Sequence, residues 1–161
     1  AENDRLVAWL QDAYAMEAAQ DSILEKLGEL FDDSPEIAAD LEAHQAATRQ
    51  HLVKIGKGLE ILKQKPEASR SLPRSVASIL RALNRCAADG EPIKSLLLLH
   101  ATEHLEHATY RALAEAAGTA GQEEIATDSE EIADQELDMA DWTEVQLLEL
   151  VRRSTDKLQP A

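Results

Sequence analysis

The chain has 161 residues, 44% of them apolar and 29% charged, with a net charge of −15 and one cysteine. This length is enough for one domain with a real core, and the acidic excess repels the phosphate backbone, which argues against a nucleic-acid partner. Cys86 alone excludes an internal disulfide and fits a reducing, cytoplasmic setting, and no apolar run approaches membrane length.

Ala, Leu, Glu, Gln and Asp dominate, and aromatics stop at Trp9, Tyr14, Phe31, Tyr110 and Trp142. That mixture favours helix–helix packing over a sheet. The first expected helix, 3–31, carries a stripe spaced by fours and threes: Leu6, Leu10, Ala13, Glu17, Gln20, Leu24, Leu27, Phe31. Glu17 and Gln20 thus interrupt an apolar face. In "DDSPE" (32–36), Ser34 reads as an N-cap and Pro35 as a first helical residue. The second helix, 35–64, repeats the pattern with Ile37, Leu41, His44, Thr48, His51, Ile55, Gly58 and Leu62. "KPEASRSLPR" (65–74) is a loop between two prolines, leading to a short helix at 73–87. There Cys86, beside Ala87 and Ala88, reads as a small packing residue.

After "ADGEP" (88–92) the fourth helix spans 91–117, with Gly118 of "AAGTAG" as its expected C-cap. Its stripe is Leu96, Leu99, Glu103, Glu106, Tyr110, Leu113, Ala117, and His100, His104 and His107 line the neighbouring edge. The fifth helix covers 121–155, and Glu130, Glu131, Asp134 and Gln135 compete as its inward polar residues. Four long helices and a short one predict an all-α, antiparallel four-helix bundle with the short helix in the crossover, as a single domain over 3–157. Nine Lys/Arg fall between Arg49 and Arg85, and twelve Asp/Glu follow Gly121. These read first as solvated faces, and alternatively as complementary flanks of two copies.

Equal rise in antiparallel neighbours places these interruptions at one height. Reflecting Glu17 about Asp33 lands near residue 49, beside Thr48 and His51. Reflecting Glu106 about Thr119 lands near Glu131 to Asp134. Several carboxylates buried at one level cannot all stay ionised without compensation, and a bound cation resolves the conflict. Bundle cores that hold two metals use a Glu from each of two helices and Glu-x-x-His from the other two. Here the pattern is imperfect, because Thr48 stands three residues before His51. "HATEH" (100–104) also fits the H-x-x-E-H zinc-protease pattern, but a short bundle lacks the further ligand and substrate cleft of that site.

The sequence resembles the YciE/YciF family of ferritin-like proteins, also known as domain of unknown function 892. "LQDAYAMEAAQ", "HQAAT", "EHLEHATYRAL" and "EEIADQEL" resemble family motifs, at intervals that agree along nearly the whole chain. Ala46 and Ala47 stand where the family has Glu-Glu, His51 where it has Gln or Glu, Leu105 for Tyr, and His107 for an aliphatic residue. The resemblance implies a ferritin-like bundle, commonly dimeric, associated with bacterial stress responses and carrying a candidate di-metal centre.

Two functional readings follow. One is a protein of iron, manganese or zinc, one or two ions per chain, acting on a small oxidant such as oxygen or peroxide. Its expected ligands are Glu17, His44, His51, Glu103, Glu106 and Glu131, held or tuned by Gln20, His104, His107, Tyr110 and Asp134. The other is a non-catalytic homodimer whose metal site is degenerate or empty.

Overall fold

A computed structural model describes residues 2–156, so the boundary expected at Lys157 lies outside the described residues. Five helices follow in order: α1 (Glu2–Glu29), α2 (Pro35–Ile61), α3 (Arg74–Ala88), α4 (Pro92–Thr119) and α5 (Glu123–Asp156). There is no strand among the described residues. Helices α1 and α2 form one hairpin, and α4 and α5 form another. The hairpins meet through α1 against α4 and α2 against α5.

The crossover from α2 to α4 is tied down by polar contacts from α1. Gln11, buried in α1, donates from Nε2 to the Lys65 carbonyl (2.7 Å) and accepts the Glu67 N–H (3.0 Å). Farther along, Arg70 pairs with Asp12 at 2.6 Å and Lys26 donates to Asn84 at 2.6 Å. These two contacts run up both segments together, so α3 lies parallel to α1. It buries Leu80, Leu83 and Ala87 and returns the chain to the end where α4 begins.

Helix ends differ from expectation by a few residues, each for a visible reason. Leu30 and Phe31 tighten into i→i−3 bonds to Leu27 and Gly28, closing α1 at Glu29 while Phe31 still enters the core. The cap of α4 is Gly121, at φ 70°, and not Gly118. The Gln122 N–H bonds the Ala117 carbonyl and the Gly121 N–H bonds that of Gly118. Gly90 (φ 72°) closes α3 through the same pair of bonds. In α2 that left-handed position falls on Lys63, at φ 59°, with Gln64 bonding Leu59 and Lys63 bonding Glu60. A Cβ there is strained, so Lys63→Gly should stabilise the fold by about 0.5–1 kcal/mol. A higher urea midpoint at unchanged m-value would show it.

The interior divides into three levels. One apolar cluster holds Leu6, Leu10, Ile55, Leu59, Tyr110, Leu113, Ile125 and Ile132. A second, toward the α1–α2 turn, holds Leu24, Leu27, Phe31, Leu41, Leu83, Leu96 and Leu99. Each fully buried Leu contributes about 2 kcal/mol of transfer free energy. Between the clusters lie Glu17, Gln20, Thr48, His51, Glu103, Glu106, Glu136 and Thr143, all buried. The interrupted stripes therefore do meet inside the bundle.

The basic stretch of the sequence finds acidic partners within the same chain. Lys54 pairs with Asp128 and Glu131, Lys57 with Glu124, and Arg49 with Asp21. No helix of the described residues is long and apolar enough to cross a membrane.

Candidate metal centre

Each helix of the four-helix core delivers its polar residues by the period that delivers its leucines. Glu17 and Gln20 continue the α1 stripe, and Thr48 and His51 continue that of α2. Glu103 and Glu106 sit between Leu99 and Tyr110 on α4. On α5 the buried sequence is Ile125, Ser129, Ile132, Glu136, Met139, Thr143, and its carboxylate is Glu136.

Glu136 is the residue that the sequence reading missed. Glu131 is exposed and ion-paired with Lys54, and Asp134 and Glu130 are exposed as well. None of the three enters the interior, because helical phase turns them outward. Gln135 touches the site from outside, accepting a hydrogen bond at Oε1 from His51 Nε2 at 2.7 Å.

At the centre, His51 Nδ1 lies 3.3 Å from Glu17 Oε1 and 3.2 Å from Glu136 Oε1. One ligand atom from each of these three residues falls within 4.8 Å of the others. Tyr110 donates its hydroxyl to Glu17 Oε1 at 2.6 Å and so fixes that carboxylate. On the α1–α2 turn side, Thr143 donates to Glu103 Oε2 at 2.7 Å, while His44 Nδ1 stands 3.7 Å from Glu103 Oε1. The His44 ring meets Trp142 edge-on, and Trp142 is anchored by donation to Asp40 at 2.8 Å.

The remaining expectations divide by helical face. Gln20 is buried in the polar level, and both of its amide atoms are without a hydrogen-bond partner among the described residues. His104 is exposed, and His107 is half-buried with Nδ1 against the Ala133 carbonyl. Neither is among the residues that meet at the centre. Ala46 is exposed and Ala47 half-buried, whereas the fully buried positions of this stretch are Thr48 and His51. The H-x-x-E-H pattern comes apart for the same reason: Glu103 points inward to Thr143 while His104 faces out.

Burial pushes the Glu17 carboxyl above its ordinary value, and the charge of Glu136 adds to that, against the help of His51 and Tyr110. Burial lifts Glu103 well above the usual range, offset in part by Thr143. Burial, then Glu136 and Glu17, lift Glu106 the same way. For His51, burial alone works downward, but Glu136 and Glu17 outweigh it and push the imidazole up to about 10. Burial draws His44 down to about 4. In the metal-free protein a proton on His51 thus performs part of a cation's work.

The donor set fits a metal. Among the described residues, Glu17 Oε2, both oxygens of Glu106, Glu136 Oε2, Glu103 Oε1 and His44 Nδ1 are buried without a hydrogen-bond partner. Apart from the proton that His51 carries toward Glu17 and Glu136, no donor among the described residues matches these acceptors, an arrangement that costs stability unless further positive charge joins it. A carbonyl oxygen only accepts, so His51 donates from Nε2 to Gln135, which leaves the Nδ1 lone pair of the neutral ring facing Glu17 and Glu136. That orientation is typical of metal-bound imidazole.

Two helical hairpins, a crossover helix and a polar level on the four core helices define a ferritin-like bundle. The chain belongs to the family described as domain of unknown function DUF892, whose model matches residues 1–156. A solved protein from Xanthomonas campestris pv. campestris is 30% identical, with 99% of each chain covered and a TM-score of 0.81. The E. coli stress protein YciF matches at 19% identity over 98% of each chain, with a TM-score of 0.75. Symerythrin from Cyanophora paradoxa, solved after reduction with dithionite, matches at 23% identity with a TM-score of 0.61. That match covers 94% of this chain and 86% of symerythrin.

Proposed function

We propose that this chain is a stress-associated, ferritin-like metal protein that carries out redox chemistry on a small oxidant. The convergence of Glu17, His51 and Glu136 among buried, unmatched lone pairs carries this reading. These three residues would hold one ion. Glu106, Glu103 and His44 are the candidates for holding a second. Oxygen-rich ligands with one or two imidazoles suit iron first, with manganese or zinc as alternatives. A bound iron would supply one-electron exchange with oxygen or peroxide, a ferroxidase- or peroxidase-type activity. The chain's own part is to orient and insulate: Tyr110 fixes Glu17, Gln135 fixes the His51 tautomer, and the two apolar clusters keep bulk water out.

A second reading has a specific observation behind it. Where two Glu-x-x-His pairs would complete a two-metal site, this chain has Thr48-x-x-His51 on α2 and Glu136-x-x-Met139 on α5. A degenerate or empty site in a non-catalytic homodimer follows from that loss. Exposed Leu97 on α4 and Val145 and Leu148 on α5 supply apolar surface for a second copy. Under either reading we place the protein in the cytoplasm, consistent with its lone thiol, and without nucleic-acid or membrane partners.

Ferrous iron mixed with the untagged chain in air separates the two, with remaining Fe(II) followed by a ferrous-selective chelator. The redox reading expects oxidation faster than in buffer, and loss of the gain in His51→Gln. Equal rates with and without protein would overturn it.

A further inference from the structure

The half of the H-x-x-E-H pattern that faces away from the interior remains to be explained. His100 Nδ1 lies 2.9 Å from the Ala140 carbonyl oxygen, across the α4–α5 seam. A carbonyl cannot donate, so this nitrogen carries the hydrogen, and the Nε2 lone pair of neutral His100 is left for another partner. His104 is one helical turn on, exposed, and its ring stands edge-on to His100 with centroids 4.6 Å apart. Side chains four apart share a helix face, the spacing by which paired histidines chelate a divalent ion.

We propose that His100 and His104 form a second cation site on the outer edge of α4, separate from the buried centre. The backbone carbonyl of Ala140 plays the part that such acceptors play behind metal-bound imidazoles, holding ring orientation and tautomer. Exposed His104 is free to turn its ring toward a shared ion, and water completes the coordination. Two neutral imidazoles with no neighbouring thiolate select a borderline ion of the nickel, copper or zinc class over manganese or magnesium. The site has no hydrolytic role, because the Glu103 of the motif is committed to the interior through Thr143.

Calorimetric titration of the untagged full chain with nickel chloride tests the site. Wild type and Glu17→Gln should both bind nickel at this edge. His104→Gln should weaken that binding at least tenfold, and His107→Gln should leave it in place. His104 is exposed, so its replacement leaves the fold intact, which far-ultraviolet circular dichroism checks. A nitrogen-15 spectrum of the imidazoles with zinc adds a direct readout, in which the Nε2 signals of His100 and His104 move together. Nickel affinity unchanged by His104→Gln, or lost only in Glu17→Gln, would overturn the proposal.

Discussion

Iron or manganese should raise the melting temperature of this protein, and Glu136→Gln should abolish that gain while Glu131→Gln preserves it. A ligand bound only by the native state at a hundredfold over its Kd adds about 2.7 kcal/mol. For a chain of this size, roughly 2–4 °C per kcal/mol makes that a rise of about 5–10 °C. Glu136 is wholly buried, with Oε1 3.2 Å from His51 Nδ1 and Oε2 without a hydrogen-bond partner among the described residues. Glutamine there replaces a charged ligand by a neutral one whose NH2 competes for the same space. Glu131 spends its charge on Lys54 at the surface, where a pair contributes no more than about 1 kcal/mol. Differential scanning fluorimetry of the two variants with and without metal is enough to decide. A metal-dependent shift that survives in Glu136→Gln would remove α5 from the site.

The second large effect is a divergence between the metal-free and metal-loaded proteins as pH rises. His51 sits at about 10 in the folded state against an ordinary 6.5, so the native protein holds the extra proton between those values. Its contribution is complete below about pH 6.5 and is lost as pH climbs through 10. At 1.36 kcal/mol per pH unit that gap amounts to roughly 5 kcal/mol at most. The raised carboxyls of Glu17, Glu103 and Glu106 act in the same direction, each losing its contribution as pH rises above 4.5. His44 acts oppositely: at about 4 against 6.5, it stays neutral in the fold while the unfolded chain takes up a proton. It therefore destabilises as pH falls from 6.5 toward 4. Chelator-treated protein should lose stability between pH 6.5 and 9.5 in urea unfolding. Loaded protein should hold or gain over the same span, because a bound metal would require deprotonated ligands and its charge would stand in for the His51 proton. Parallel curves for the two forms would contradict this account.

Much of this was legible in the residues. Glu17, Thr48, His51, Glu103 and Glu106 all interrupt stripes whose other members are apolar, and a 4–3 stripe in a bundle points to the core. The crossover was equally plain, since "KPEASRSLPR" cannot continue a helix. What failed was the height on α5. Reflection about Thr119 sends Glu106 to position 132, but the left-handed cap is Gly121, and reflection about 121 sends it to 136. The same 4–3 stripe run along α5 from Ile125 and Ile132 also arrives at Glu136. Side-chain direction was the other loss: His104 and His107 adjoin the buried Glu103 and Glu106 in sequence, yet helical phase carries them to another face.

The most direct measurement is an anomalous difference map from crystals of the untagged protein soaked in manganese. The account expects a peak among Glu17, His51 and Glu136, between the Leu113 and Leu99 levels of the core. An interior without a peak, with His51 still bridging its two carboxylates at full metal occupancy elsewhere, would contradict it.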